Sequence, residues 1–393
     1  DQEINSLSAS LAAQNASGPK IGGWVHTSLR WETDRPELDD AGTAVTTDDT
    51  AIDTNDTIVE IGDGDGTAEV STIAGGGGAA NREPRLLILG NVTFQRPAGS
   101  VDSLTCSIPY AWLQLPTAAG KLTFADGLSA SFTGAIFNHF MGSIDCGTSA
   151  ANTGAISIAG DTAGTGIAII PNDATTPDVT HTITVNGSGS ISFTKPVLLD
   201  GNGTGVGGGQ GRIVANDSAG VTLGSLGTDT IQFRGSLDAS QPNPGEVVLN
   251  GSSTLTIAGQ LDLTSETQVG GNLSVGGSAT ATIAGALNCN VTATASHDGG
   301  TVTISSTGRL SVGGNLTLQG NGTAATGGRL TVSSTRASPG ALSVTGSTTI
   351  QSGTACGGLL TITTDALVTF TGTVSINAST QDGVLDVTDA TAP

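Results

Sequence analysis

Residues 299–326 read GGTVTISSTGRLSVGGNLTLQGNGTAAT, and residues 327–356 read GGRLTVSSTRASPGALSVTGSTTIQSGTAC. Both segments open with Gly-Gly, and in both of them apolar residues alternate with polar ones in short bursts. In the first segment the bursts are Val302 and Ile304, Leu310 and Val312, and Leu316 and Leu318. Alternation with a period of two is typical of a strand with one buried face, so each segment predicts three short strands.

The two segments belong to a longer repeat. Its units begin at Gly245, Gly270, Gly299, Gly327, Gly357 and Gly383, at spacings of 25, 29, 28, 30 and 26 residues. Three short strands enclose no core by themselves, but parallel stacking about 4.8 Å apart would bury their apolar residues in columns. We therefore predict an all-β parallel β-helix (β-solenoid) with about three short strands per turn over residues 150–393, regular over residues 245–393.

Two other folds also contain regularly spaced short strands, the β-sandwich and the β-propeller. A sandwich does not require successive units of near-constant length, and a propeller blade needs a fourth strand and about 40 residues. The observed spacing therefore favours the solenoid over both of them.

Composition and charge exclude several classes of function. The 393 residues include 59 Gly but only three Trp, one Tyr and eight Phe, which favours layers of small aliphatic side chains. The net charge of −21 would repel a phosphate backbone, so we expect no nucleic-acid partner. No apolar run approaches the roughly 20 residues that span a bilayer, so we expect no membrane insertion.

The N-terminal part of the chain differs in composition from the repeats. Residues 1–149 contain Trp24, Trp31 and Trp112, the only Tyr and five of the eight Phe. We therefore predict that residues 24–149 form a smaller β-rich domain with its own aromatic core, used for capping or assembly. Residues 1–23 would precede it as an arm or a short helix.

The stretches GGNLTLQGNGTAATGGRLTV (residues 313–332) and GGNLSVGGSATATIAG (residues 270–285) resemble the repeats of autotransporter passenger domains and filamentous-haemagglutinin-like adhesins. This resemblance implies a right-handed parallel β-helix at a bacterial surface. The chain departs from the autotransporter pattern because no membrane barrel follows the repeats before Pro393. Its start at Asp1 rather than Met predicts a removed signal segment, and hence an extracellular or cell-surface location.

An acidic stretch, residues 32–65, contains twelve acidic residues and one Arg. Within it, Asp63 and Asp65 of GDGDGT are candidate calcium ligands, because Ca²⁺ takes six to eight oxygen ligands and the glycines let the backbone turn. A solvated acidic loop is the alternative, since the spacing lacks the complete EF-hand pattern. No other cofactor is expected.

The four cysteines are Cys106, Cys146, Cys289 and Cys356. None is part of a CxxC pair or close to a histidine, which argues against a zinc site. Cys106 and Cys146 lie in the same aromatic part of the chain, so we predict a disulfide between them.

Catalysis is not expected from the regular repeats. Residues 245–393 contain eight acidic residues, three Arg and no Lys, and the acidic residues fall at different phases of the repeat. A glycoside hydrolase would need paired carboxylates on one face. We therefore expect no enzyme, but an extracellular structural protein that forms or decorates a self-assembled surface fibre, sheath or adhesive layer.

The same pattern leads to an expected partner. The segment at residues 383–393 resembles the first strand of a new turn, which predicts head-to-tail association into a homo-oligomer or filament. The alternative at this end is a cap or anchor that follows Pro393 and completes the turn. The alternative function is a carbohydrate-binding or polysaccharide-cleaving β-helix, tailspike-like or lyase-like, with its site in residues 1–244. A surface polysaccharide is the candidate partner in that case.

Overall fold

A computed structural model provides the structure of the chain. Before residue 91 it describes residues 20–22, 25–26, 30–31, 50–52, 57–61, 68, 70–74 and 85–88. From residue 91 it describes the chain to residue 388, except for residues 107–109, 113–120, 133–142, 160–166, 170–180, 202–209, 236–243, 266–268, 292–298, 321–326, 337–338, 352–356, 364–366 and 378–382.

All regular elements of the described residues are strands. The first ten are β1 (Lys20–Gly22), β2 (Val25–His26), β3 (Arg30–Trp31), β4 (Thr50–Ile52), β5 (Thr57–Ile61), β6 (Val70–Ala74), β7 (Arg85–Ile88), β8 (Asn91–Gln95), β9 (Ser103–Cys106) and β10 (Tyr110–Trp112). The next fourteen are β11 (Lys121–Phe124), β12 (Ser129–Phe132), β13 (Ser143–Cys146), β14 (Ala155–Ile158), β15 (Ile167–Ile169), β16 (His181–Val185), β17 (Ser190–Phe193), β18 (Val197–Leu199), β19 (Gly211–Ala215), β20 (Gly220–Leu223), β21 (Thr230–Arg234), β22 (Glu246–Leu249), β23 (Thr254–Ile257) and β24 (Gln260–Ser265). The last thirteen are β25 (Asn272–Val275), β26 (Thr280–Ile283), β27 (Leu287–Val291), β28 (Thr301–Ser306), β29 (Arg309–Val312), β30 (Leu316–Gln319), β31 (Arg329–Ser334), β32 (Leu342–Val344), β33 (Thr348–Gln351), β34 (Leu359–Ile362), β35 (Val368–Phe370), β36 (Val374–Asn377) and β37 (Val384–Val387).

These strands form three long sheets and one short sheet. Sheet 1 has 13 strands in the order β2-β5-β8-β11-β13-β16-β19-β22-β25-β28-β31-β34-β37, and sheet 2 has 12 strands in the order β1-β6-β9-β12-β14-β17-β20-β23-β26-β29-β32-β35. Sheet 3 has eight strands, β15-β18-β21-β24-β27-β30-β33-β36, and sheet 4 has four, β10-β7-β4-β3. From β13 onward each turn of the chain adds one strand to sheet 1, then to sheet 2, then to sheet 3. Every strand from β4 onward pairs in parallel with its counterpart one turn away, for example β25 with β28. The predicted parallel β-helix with three strands per turn is therefore confirmed.

A single apolar core runs along the inside of the coil. Buried and half-exposed residues alternate along the strands, as in β28 and β29, so the inward side chains stack in columns across the turns. On sheet 1 one such column contains Leu273, Val302, Leu330 and Leu360, all of them fully buried. Each buried side chain of this kind contributes roughly 1.5–3 kcal/mol, which is how small aliphatic residues stabilise so long a coil.

The glycine that recurs just before the last six strands of sheet 1 has a steric cause. At this position the chain passes close to the backbone of the sheet 3 strand of an earlier turn, and an added Cβ would overlap its carbonyl oxygen. The carbonyls belong to Leu199, Phe233, Leu263, Cys289, Leu318 and Ile350, and the facing glycines are Gly245, Gly271, Gly300, Gly328, Gly358 and Gly383. This close backbone approach therefore explains why glycine recurs at the repeat period seen in the sequence.

The corner between sheets 1 and 2 is stabilised by an asparagine ladder. Asn250 donates from Nδ2 to Oδ1 of Asn216 at 3.0 Å, and Asn216 donates to Oδ1 of Asn186 at 2.9 Å. Asn186 in turn donates to the carbonyl of Gly147 at 2.8 Å. These side-chain bonds tie successive turns together where the backbone leaves the sheet.

The expected boundary between residues 149 and 150 does not interrupt the sheets. β8, β11, β13 and β16 are consecutive strands of sheet 1, so residues 91–146 are turns of the same solenoid. The aromatic side chains join the common core: Phe94 stacks on Phe124 at 5.9 Å between ring centroids, and Phe124 meets Phe132 edge-on at 5.9 Å. Residues 91–146 therefore have no separate aromatic core, because the coil is wide enough to stack Phe in place of Leu. The capping or assembly role predicted for residues 24–149 stays a prediction.

The first three strands reverse the winding of the chain. β1 pairs antiparallel with β6 of sheet 2, β2 with β5 of sheet 1, and β3 with β4 of sheet 4. The chain thus visits the sheets in the order 2, 1, 4, whereas the coil visits them in the order 4, 1, 2 from β4 to β6. Residues 1–19, the larger part of the predicted arm, lie outside the described residues.

Candidate functional surfaces

The outer surface of sheet 2 has a hydroxyl group at the same position of ten consecutive strands. These residues are paired in register from β9 to β35, and their side chains are half-exposed or exposed. We call this column the hydroxyl ladder; it consists of Thr105, Ser131, Ser157, Ser192, Thr222, Thr256, Thr282, Ser311, Ser343 and Thr369. Because neighbouring strands lie about 4.8 Å apart, the ladder repeats donors and acceptors at that interval.

The alternation of apolar and polar residues in the repeats predicts a polar exterior, but the sequence did not show which sheet carries an unbroken column of hydroxyl groups. That becomes visible only when the strands are placed in register. A signal was nevertheless present, because the third residue of strands such as TLTI (residues 254–257) and TATI (residues 280–283) is regularly Ser or Thr.

Charged side chains on sheet 1 form contacts between adjacent turns. Lys121 on β11 forms an ion pair with Asp145 on β13. Arg212 on β19 pairs with Glu246 on β22, with 2.8 Å between Nε and Oε2. Glu246 also accepts a hydrogen bond from Asn272 of the next turn at 2.7 Å. These groups are partly exposed, so each pair stabilises the coil only modestly.

A polar contact of the same kind lies on sheet 3. Asp262 of β24 accepts hydrogen bonds at 2.8 Å from Gln260 of its own strand and from Asn288 of the next turn. Near it, Arg234 lies 3.7 Å from Asp200, measured from Nη1 to Oδ2. The carboxylates of the side faces thus connect neighbouring turns.

Asp126 organises the corner after β11. Its carboxylate accepts hydrogen bonds from the backbone N–H groups of Thr148 and Ser149 and from both of their hydroxyls. Burial acts to raise the pKa of Asp126, but these hydrogen bonds outweigh it and leave the pKa below its usual value of 3.8.

The two cysteines expected to form a disulfide both face the core, but from different turns. Cys106 of β9 is in register with Phe132, whereas Cys146 of β13 is in register with Phe124 on another sheet. Two turns therefore separate them along the axis, which at about 4.8 Å per turn exceeds the roughly 7 Å that a disulfide can span between Cα atoms. Cys146 is a buried free thiol, so the predicted bond is not formed in this structure.

Two buried core thiols, Cys146 and Cys289, are poor nucleophiles. Burial raises the pKa of Cys146 and of Cys289 well above the usual 9.0, and the nearby carboxylates of Asp145 and Asp262 add to the effect. Cys356 lies outside the described residues.

The candidate calcium ligands Asp63 and Asp65 also lie outside the described residues. Within the part of the chain that the structure describes, no group of three or more His, Cys, Asp or Glu side chains is placed to hold a metal ion. The calcium prediction therefore remains a prediction.

The last strands of each sheet form a surface of another kind. We call β35, β36 and β37 the C-terminal edge, because each of them is the final strand of its sheet among the described residues. Ile376 is 48% exposed, whereas Ile350, its counterpart one turn earlier, is fully buried. Val387 is 65% exposed, whereas its counterpart Ile362 is 8% exposed. Side chains that would face the core in a longer coil are thus open to solvent here.

Fold and surfaces together define a parallel β-solenoid with a polar exterior, one hydroxyl-lined face and exposed apolar side chains on its last described strands. No protein-family model matches the chain, and neither the curated proteins nor the solved structures include a significant match to it. Among the described residues, no helix has the length and apolar character needed to cross a membrane.

Proposed function

We propose that this protein is a structural building block of an extracellular fibre, sheath or adhesive layer, in which copies associate through the ends of the coil. The C-terminal edge carries this proposal. Among the described residues its three strands have no neighbouring strand on one side, and they carry exposed apolar side chains at core positions such as Ile376 and Val387. Such an edge favours pairing with another chain.

The charged groups of the described residues support a structural role. The carboxylates of Asp145, Glu246 and Asp262 each have partners on an adjacent turn, where they strengthen the coil. A glycoside hydrolase built on a β-helix would instead direct two carboxylates at a substrate from one face. The geometry therefore favours a structural protein over a polysaccharide-cleaving one.

The hydroxyl ladder supports an adhesive contribution along the side of the coil. Uncharged hydroxyls at regular intervals can exchange hydrogen bonds with a polysaccharide, which offers donors and acceptors of the same kind. Co-sedimentation with an insoluble polysaccharide tests this contact, with Thr256→Lys/Thr282→Lys as the ladder variant and Thr303→Lys/Thr331→Lys on sheet 1 as its control. If both variants co-sediment equally, the proposed contact between the hydroxyl ladder and the polysaccharide is wrong.

Association through the edge is tested by light scattering after size-exclusion chromatography and by electron microscopy, over a range of concentrations. The wild-type protein should form elongated species, and Leu385→Lys, which places a charge on β37 at the edge, should reduce them. Thr331→Lys, on the outward side of sheet 1, is the matched control. A wild-type protein that stays monomeric at every concentration contradicts the proposal.

The extracellular location is a separate part of the proposal and rests on the resemblance to surface β-helices. Brief protease treatment of intact source cells tests it, because an exposed protein is cut while cytoplasmic markers stay intact. Protection of the protein until the cells are lysed would place it inside.

A further inference from the structure

One stretch of the chain has the opposite charge to the rest. Residues 299–364 contain three Arg and no acidic residue, which gives +3 in a chain whose net charge is −21, and no other run without an acidic residue is as long. The acidic residues that border it in the sequence, Asp298 and Asp365, lie outside the described residues. Two full turns of the coil and the first strand of a third are therefore locally basic.

Two of these three arginines lie at the same corner, between sheets 1 and 2. Arg309 begins β29 and is half-exposed on the outward side of sheet 2, in register with Thr280. Arg336 follows β31 in the next turn, and its Nη1 donates to the backbone carbonyl of Thr307, two residues before Arg309, at 3.1 Å. Neither arginine forms an ion pair with a described residue. Two guanidinium groups thus lie on neighbouring turns without a carboxylate to neutralise them.

Arg309 is also the single charged residue among the outward positions of sheet 2 from β9 to β29. Beside the hydroxyl ladder these strands have a second outward column, and its other members are Ser, Thr, Ala or Gly. On β29 the ladder residue is Ser311, two positions after Arg309 on the same face, which places the two Cα atoms about 7 Å apart. One short stretch of saccharide can therefore contact both side chains.

We propose that the outer face of sheet 2 binds an acidic polysaccharide, one whose sugars carry carboxylate groups. A carboxylate pairs with Arg309 and Arg336, and the sugar hydroxyls exchange hydrogen bonds with the hydroxyl ladder. A guanidinium and a carboxylate match in charge and in their paired donors and acceptors, and such hydrogen bonds are stronger than those between neutral groups. The inference rests on the adhesive contact proposed above and names the class of its ligand.

The net charge of −21 does not prevent this contact, because salt screens the charges that lie far from the two arginines. At the same corner Asp217 occupies the position of Ser306 three turns earlier, which is about 14 Å along the axis. In the other direction Asp386 lies on sheet 1 two turns beyond Thr331, about 10 Å along the axis. Both distances exceed the Debye length of about 8 Å at physiological ionic strength.

Co-sedimentation of the full chain with beads that carry covalently coupled alginate, a carboxylated polysaccharide, tests the proposal. Beads with coupled dextran are the neutral comparison. The wild type should bind alginate at least about fivefold more tightly than dextran, and this preference should decrease as the salt concentration is raised. Arg309→Gln should weaken alginate binding, and Arg309→Gln/Arg336→Gln should weaken it by at least about fivefold without changing dextran binding.

Arg329→Gln is the matched control. It removes the same side chain and the same charge from the same basic stretch, but on the outward side of sheet 1, so its alginate binding should stay close to that of the wild type. Circular dichroism should show that every variant keeps its β-structure.

Two results would overturn the inference and leave the proposed contact with the hydroxyl ladder standing. One is that the wild type binds both kinds of bead equally well, and the other is that Arg309→Gln/Arg336→Gln loses no more alginate binding than Arg329→Gln. If the wild type binds neither kind of bead, the ladder contact and this inference both fail, while association through the C-terminal edge is unaffected.

Discussion

Thr348 occupies a core position of sheet 3 that an aliphatic residue would fill better. It lies on β33 between Leu316 of the preceding turn and Val374 of the following one, its side chain is fully buried, and its Oγ1 has no hydrogen-bond partner among the described residues. Valine has nearly the same shape but no hydroxyl. Leaving a buried hydroxyl unsatisfied costs about 1–3 kcal/mol, so Thr348→Val should stabilise its surroundings by about 1–2 kcal/mol.

The stability added by Thr348→Val should be local, because each turn of a solenoid contacts only its neighbours and the whole coil need not unfold in one step. Hydrogen exchange of the amides in β30, β33 and β36 is therefore the suitable measurement. A stabilisation of this size corresponds to a roughly 5–30-fold slower exchange. Denaturant unfolding, followed by circular dichroism, should show a shift in the same direction.

Thr349→Val is the matched control, because it makes the same chemical change on the same strand where the side chain is half-exposed and faces outward. Its effect should stay within about 0.5 kcal/mol. If Thr348→Val leaves the exchange rates unchanged or raises them while the backbone stays intact, the hydroxyl has a partner and the reasoning is refuted.

Three further predictions concern the corners and the core. Ser306 has a φ of 56° at a corner position where other turns have glycine. Ser306→Gly should therefore raise the free energy of unfolding by about 0.5–1 kcal/mol in denaturant titrations. A lower free energy of unfolding would show that the hydroxyl group matters more than the backbone strain. The pKa of Asp126 is lower in the folded state, so its carboxylate stabilises the fold above pH 3.8, and this stabilisation is lost as the pH falls through the folded pKa. Asp126→Asn should therefore lower the free energy of unfolding at neutral pH and make it depend less on acid pH. An unchanged acid profile would contradict this prediction. Burial raises the thiol pKa values of Cys146 and Cys289 above 9.0, so unfolding releases protons at alkaline pH and the stability of the fold should decrease there. A thiol reagent should label both cysteines only after denaturation, and rapid labelling of the native protein would contradict their burial.

Some inferences from the sequence failed because they depend on distances that the order of residues does not contain. The 40-residue separation of Cys106 and Cys146 is compatible with one turn or with two, and only the register shows that β11 and β12 lie between them. Likewise, clustered aromatic residues suggested a separate domain, because composition does not show whether Phe94 and Phe124 share a core with the later turns.

The sequence by itself determined the class of fold. A period of two within each burst specifies strands with one buried face, and a near-constant repeat of such bursts leaves stacking as the way to bury them. Only the tertiary structure decided which polar residues form a continuous column, why glycine recurs against the carbonyl of an earlier turn, and which edges remain open at the ends. These features depend on register between turns, where residues some thirty positions apart become neighbours through backbone hydrogen bonds between strands.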